Sequence, residues 1–281
     1  MAGRELTSLR SPRVKAARRL AKRAFRRREH RFLAEGPQAV REALEIPGGL
    51  AELFTTAEAE ARHPDLVLAA ERAGAPVLRV SGEIMAELAQ TVTPQGLLAV
   101  CEFVDVPLDE ALKAGPRLVT VLAHVRDPGN AGTVLRTADA AGSETVVFTD
   151  ASVDPYNGKC VRASAGSLFH LPVVVGPRFG ELAAELKGAG LTVLAADGAG
   201  GRTLDEAIDQ GLLARPTAWV FGNEAWGLPE EILAHADEVV RVPIYGRAES
   251  LNLATAAAVC LYASARAQRS AGPAGRAVPP G

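Results

Sequence analysis

RLVTVLAHV, Arg117 to Val125, runs directly into RDPGNAGTVLRTADAAG, Arg126 to Gly142, and the reading of this junction decides the fold. The first stretch is an almost unbroken apolar run, the pattern of a strand buried on both faces. Asp127-Pro128-Gly129 is turn chemistry, in which proline presets φ and glycine relaxes it. From Ala131 to Gly142 apolar residues recur at helical spacing and the run closes on glycine. Asn130 suits a helix N-cap, where its side chain satisfies a free backbone N–H. A helix starting there carries Arg136 on its second turn, on the same face as Gly132 four residues earlier. A small residue one turn before an arginine leaves space beside it. The same residues also suit an ordinary cap followed by a surface arginine.

A strand, a turn and a helix N-terminus commonly hold a phosphate. Here neither GxGxxG nor GxxxxGK[ST] follows the strand, so the usual nucleotide fingerprints are missing. The alternation continues downstream. ETVVFTD (144–150), LPVVVG (171–176), LTVLAAD (191–197) and TAWVFGN (217–223) read as strands. FGELAAELKGAG (179–190) and LNLATAAAVCLYASARAQ (251–268) read as helices. Apolar strands alternating with helices predict a parallel sheet covered on both faces. Upstream, AELFTT (51–56), APVLRV (75–80) and GLLAVCEF (96–103) read as strands, with helices over 37–45 and 82–90. That pattern predicts a smaller α/β domain. Between the two, VDVPLDEALKAGPR carries two prolines and a Gly-Pro pair and reads as a linker over 106–116. The tail, 270–281, is rich in Gly and Pro and is expected to be disordered. The chain thus divides into a basic extension (1–31), an N-terminal domain (32–105), the linker, a main domain (117–269) and the tail.

At 281 residues, 48% hydrophobic and 23% charged, the composition is that of a soluble protein of about two domains. No apolar run reaches the ~18 residues of a membrane span, so no membrane partner is expected. Cys101, Cys160 and Cys260 are far apart and form no paired motif. A disulfide framework and a metal site are therefore not expected, and a reducing cytoplasm fits. The net charge of −2 conceals an asymmetry. Met1 to Arg31 holds twelve Lys or Arg against two Glu, a net +10, which leaves −12 on the remainder. Such a basic head, predicted as a helix over about 11–29, points to a polyanionic partner. A solvated helix without a partner is the plain alternative.

Two further loops stand at strand ends. In VFGNEAWGLP, Val220 to Pro229, Gly222 and Gly227 flank Asn223, Glu224 and Trp226, which permits a tight loop with close backbone approach to a ligand. In RVPIYGRAESLNLATAAAV, Arg241 to Val259, Ser250 is a plausible N-cap for the helix that follows. Asn252 lies at the start of an apolar helix, and an amide facing a core needs partners.

Taken together these residues resemble the SpoU (TrmH-like) family of RNA ribose 2′-O-methyltransferases. Asn130, Gly132 and Arg136 match its first motif, and Gly222, Glu224 and Gly227 match its second. Pro243, Gly246, Ser250, Leu251 and Asn252 match its third, in the right order over about 117–268. KCVRASAGSLFHLPV (159–173) is similar to the family's RNA-side loop, and FLAEGPQAVREAL to the start of its ribosomal-protein-like substrate domain.

The resemblance implies a parallel α/β domain tied in a deep trefoil knot, a homodimer, and S-adenosylmethionine held by the second and third motif loops. By position the cofactor would meet Phe221, Gly222, Asn223, Gly227, Val242, Ile244, Leu251 and Leu253. Arg136 would face the RNA, with Asn130, Glu224, Ser250 and Asn252 holding it, the ribose and the loops in place. Arginine keeps its proton across the working pH range, so positioning and charge stabilisation suit it better than proton removal. No metal is required, because a sulfonium already makes its methyl group electrophilic. Arg18, Arg19, Arg26, Arg27, Arg28, Arg162 and Ser164 would contact RNA. The N-terminal domain favours ribosomal RNA of the large subunit over tRNA. Two rivals remain: a non-catalytic RNA-binding protein on the same fold, and a nucleotide-dependent enzyme on a conventional doubly wound sheet.

Overall fold

The computed structural model describes residues 6–89, 91–223 and 226–271. Glu224 and the tail beyond residue 271 lie outside the described residues. Ser270 and Ala271 do not belong to a tail but end the last helix.

The N-terminal part runs α1 (Pro12–Arg19), α2 (Arg23–Glu29), β1 (Arg31–Glu35), α3 (Pro37–Glu45), β2 (Leu50–Thr55), α4 (Ala57–Arg62), α5 (Pro64–Arg72), β3 (Val77–Arg79), α6 (Gly82–Leu88) and β4 (Leu97–Glu102). Its four strands form one mixed sheet in the order β1-β4-β2-β3. The basic head is two helices rather than one. Arg26 explains the break: its Nη1 donates to the carbonyls of Leu20 and Ala21, both at 2.9 Å, satisfying groups that a continuous helix would bond itself. Val14 and Ala17 of α1, with Leu20 just after it, are buried in one cluster with Ile84, Met85 and Leu88 of α6, so the head belongs to the domain.

The main part runs α7 (Leu108–Lys113), β5 (Leu118–Leu122), α8 (Pro128–Ala141), β6 (Thr145–Phe148), α9 (Gly158–Ser164), β7 (Val173–Val175), α10 (Phe179–Gly188), β8 (Thr192–Ala196), β9 (Arg202–Thr203), α11 (Leu204–Asp209), β10 (Thr217–Phe221), α12 (Glu230–Leu233), β11 (Glu238–Arg241) and α13 (Leu253–Ala271). Its seven strands lie in the order β7-β6-β5-β10-β8-β11-β9, and every pairing is parallel. The alternation along β5 and β10 feeds two cores. Leu118, Leu122, Trp219 and Phe221 face α8, α9, α11 and α13, while Val119, Val121, Ala218 and Val220 face α7, α10 and α12. The stretch 106–116, read as a linker, carries α7, whose Ala111 is buried in the second core.

The two parts share a core. Phe32 of β1 packs on Tyr156 and Phe169 at ring-centroid distances of 4.7 and 5.9 Å, and Phe103 stacks on Tyr156 at 3.9 Å. The Tyr156 hydroxyl accepts from the backbone N–H of Val104 and Asp105 at 3.0 and 2.8 Å. The N-terminal domain is therefore docked on the main domain through buried aromatic surface.

Candidate active site

β10 lies beside β5 with Phe221 opposite Leu122, and beside β8 with Phe221 opposite Ala196. β11 borders β8, with Val240 also opposite Ala196. Parallel pairing in this register brings the loops after β5, β8, β10 and β11 to one edge of the sheet, where open α/β sheets bind ligands.

The loop after β5 passes through His124 at φ +60°, a left-handed conformation that costs a non-glycine residue about 1–2 kcal/mol. Asp127, not Asn130, then caps α8: its Oδ1 accepts from the Asn130 backbone N–H at 2.8 Å. Lys159 donates to the other carboxylate oxygen at 2.7 Å, and this bond, with the capped N–H, holds the Asp127 carboxyl below its usual range. Because Asn130 sits inside the first turn, its side chain reaches across the site. Its Oδ1 accepts from Nδ2 of Asn252 at 3.3 Å. Asn252 in turn caps α13, its Oδ1 accepting from the N–H of Ala254 at 2.9 Å and of Thr255 at 3.4 Å. The cap is thus Asn252 rather than Ser250, and the Asn252 amide is exposed rather than facing the core. One amide pair ties the N-terminus of α8 to that of α13.

Gly132 does share a face with Arg136, but the space beside it is filled. A Cβ there would collide with the Cys160 carbonyl and approach Cβ of Ala163 to 2.7 Å, so glycine lets α8 and α9 touch. Arg136 is exposed and makes no hydrogen bond or ion pair among the described residues.

The loops after β8, β10 and β11 line a cavity of ≈ 510 Å³. Phe221, Val240, Leu253 and Ala256 give it apolar walls, and Asp197, Arg241 and Glu249 place charges among its lining. All eight residues that the sequence assigned to the cofactor line it (Phe221, Gly222, Asn223, Gly227, Val242, Ile244, Leu251 and Leu253), as does Ser250. The loop after β10 is pinched by reciprocal backbone hydrogen bonds between Asn223 and Gly227, at 3.1 and 2.9 Å. Gly227 has φ +67°, and a Cβ on it would strike the Asp197 carboxylate. That carboxylate accepts from the N–H groups of Ala199 and Leu228 at 2.9 and 3.0 Å, which locks two loops together. Sequence reading missed Asp197, whose signal is its place at the end of a parallel strand, and also Arg241 and Glu249.

Three residues expected on the RNA face stand elsewhere. Arg26 is 3% exposed and donates through Nε and Nη2 to Asp154, at 2.9 and 2.6 Å. Ser164 is buried against α8, and its hydroxyl donates to the Val161 carbonyl at 2.8 Å. Arg162 is half-buried and pairs with Glu35 at 3.3 Å. All three face the other half of the molecule or their own helix, which a pattern of charge along the chain does not reveal. Arg18, Arg19, Arg27 and Arg28 are exposed.

The volume is that of a small-molecule site, and apolar walls with carboxylates and a guanidinium suit a ligand joining a flat ring, hydroxyls and an amino-acid group. Sheet and cavity define an α/β protein that binds such a ligand at the C-terminal ends of its parallel strands. Residues 117–262 match the model of the SpoU rRNA Methylase family, and residues 11–99 that of the MRM3-like substrate binding domain. The chain belongs to the SpoU rRNA methylase family. It is 35% identical over 259 residues to the Bacillus subtilis 23S rRNA (guanosine(2553)-2′-O)-methyltransferase RlmP, covering 92% of this chain and 98% of that one. It is 34% identical to the 23S rRNA (guanosine-2′-O-)-methyltransferase RlmB of Bordetella pertussis, covering 78% and 90%. The crystal structure of an AdoMet-bound rRNA methyltransferase from Sinorhizobium meliloti superposes with a TM-score of 0.79 at 30% identity, covering 94% and 97%.

Proposed function

We propose that this protein transfers a methyl group from S-adenosylmethionine to a ribose 2′-hydroxyl of large-subunit ribosomal RNA. The observation that carries the reading is the meeting of the loops after β8, β10 and β11, far apart in sequence, around one cavity, with Arg136 exposed on α8 and without a partner among the described residues. The cofactor fits the lining: its adenine and methionine chain would lie on Phe221, Leu253 and Ala256, and its ribose hydroxyls and ammonium would meet Asp197 and Glu249. Bound there, S-adenosylmethionine supplies a methyl group already made electrophilic by its sulfonium. The chain's own residues do the rest. Arg136 holds an RNA phosphate and stabilises negative charge as the 2′-hydroxyl loses its proton. The Asn130–Asn252 bond fixes the α8 terminus, and so the position of Arg136, relative to the cavity. Ser250 and Glu224 orient the ribose and the loop. The exposed arginines of α1 and α2 neutralise phosphates without reading sequence.

The same reading includes a homodimer, supported by Val259 and Tyr262, which are 39% and 52% exposed on the outer face of α13. It includes a trefoil knot, supported by the return of α13, after residues 242–252, against α8 and the middle strands. A cytoplasmic setting is supported by three free, buried cysteines whose thiols burial pushes up, that of Cys260 to about 12.

The test is transfer of labelled methyl to unmodified ribosomal RNA and bulk tRNA in parallel, followed by alkaline hydrolysis. Label in an alkali-resistant dinucleotide from ribosomal RNA is expected. Label that alkali releases as mononucleotide, or label in tRNA alone, overturns the reading.

A further inference from the structure

We infer that Trp226, with Arg126 against it, is the seat on which the RNA base next to the reacting ribose stacks when it leaves its helix; the inference rests on the ribose-methylation reading above. The protein has two tryptophans, and they are opposites. Trp219 is fully buried, and its Nε1 donates to Ser264 at 2.8 Å, so its role is packing. Trp226 lines the cavity and is nevertheless 57% exposed, so a large aromatic face stays in water at the mouth. Burying such a ring is normally among the largest gains a fold makes, and here the fold leaves it out.

Among the described residues Arg126 stands over the ring, its guanidinium carbon 5.6 Å from the ring centroid. Arg126 is itself exposed and has no other partner among the described residues. The two come from loops after adjacent strands, β5 and β10, so the sheet sets their proximity. A cation against an indole positions the ring and adds charge beside it. A ribose that reaches into a recessed cavity must draw its nucleotide out of the stack, and the displaced base then needs an aromatic or planar surface. Trp226 offers that surface and Arg126 offers a phosphate contact beside it. Such stacking tolerates any base, so the seat supplies affinity and placement rather than sequence discrimination.

The two tryptophans make the test direct, since Trp219 gives a constant background. A transcript of large-subunit ribosomal RNA is expected to quench the exposed tryptophan emission of the native protein. Inorganic polyphosphate of matched charge leaves it unchanged, and a Trp226→Phe variant shows no quenching. Trp226→Ala is expected to raise KM for the RNA roughly ten- to a hundredfold, the range of a lost base stack. Trp226→Phe restores KM to within a few-fold of the native value, and in both variants the cofactor dissociation constant shifts far less than the KM for RNA does in Trp226→Ala. Quenching by S-adenosylmethionine alone, with none added by RNA, assigns the ring to the cofactor and overturns the inference, as does an unchanged KM in Trp226→Ala. Failure of the native protein to methylate any RNA, with RNA still quenching Trp226, overturns the reaction and leaves the base seat standing.

Discussion

Arg136 and Arg26 are both arginines on helices of one chain, and their surroundings give them opposite tasks. Arg136 stands exposed on α8 with no partner among the described residues. Its truncation should therefore cost little stability and much turnover. Arg136→Ala is expected to lower kcat by on the order of a hundredfold or more, the usual loss when charge stabilisation is removed. Cofactor affinity, read by calorimetry, should stay within a few-fold of native. Near-native turnover in the variant would remove Arg136 from the mechanism. Arg26 spends its whole guanidinium on Asp154 and two carbonyls within the fold. Replacing it by methionine strands the Asp154 carboxylate in a buried setting, at a cost of about 3–5 kcal/mol. A urea titration reads that loss directly, and a midpoint equal to native would show that the tie carries no net stability.

Among the elements, α8 and α13 show how much of the site the chain declares. Their extents, the glycine that closes α8 and the strands that precede them follow from apolar spacing and turn residues. Which residue caps each helix does not. Asp127 and Asn130 both suit an N-cap, as do Ser250 and Asn252, and propensity ranks them together. The choice is made by the cross-link: Asn252 can cap α13 and still reach Asn130 only from its own position. Asn252→Ala should therefore lower stability by about 1 kcal/mol through the lost cap. It should also slow methyl transfer, whereas Ser250→Ala should spare stability; equal thermal midpoints for Asn252→Ala and the native chain would contradict the cap. The strands β1 and β11 were not legible. RFLAE carries a charge at each end, and EVVR offers only two apolar residues between charges. Both gain their strand character from neighbours across the sheet. The basic head was legible as charge but not as structure. α1 is anchored by Val14, Ala17 and Leu20, so removing the segment would damage the fold. Replacing Arg18, Arg19, Arg27 and Arg28 by Gln tests RNA contact without that loss. The slope of log K for RNA against log salt should flatten by roughly 0.7–0.9 for each phosphate contact removed. An unchanged slope would place the RNA elsewhere.

At the scale of the whole molecule, the substrate-binding half and the catalytic half meet through a common apolar core and a ring of polar ties. Arg26–Asp154 and Arg162–Glu35 belong to that ring, and His170 is the one whose strength depends on pH in the neutral range. Its Nδ1 lies 2.8 Å from Asp139 on α8, and its Nε2 lies 3.0 Å from Glu42 on α3. Partial burial alone would lower the imidazole pKa, but hydrogen bonds to the two carboxylates outweigh burial and hold it above its ordinary value. The native state thus binds the proton more tightly than the unfolded chain does. The stabilisation is complete below the unfolded value of about 6.5 and fades as pH rises through the native one. His170→Gln should consequently lower the thermal midpoint more at pH 6 than at pH 9. The tie weakens as the pH rises through the native value, so the deficit of the variant shrinks toward the higher pH. Because the tie joins the two halves, the same pH rise should loosen the docking of α3 on α8, read as faster amide hydrogen exchange in α3 after correction for intrinsic rate. A variant whose deficit is equal at both pH values would show that His170 acts by packing alone, and that the junction holds through its aromatic core rather than through this proton.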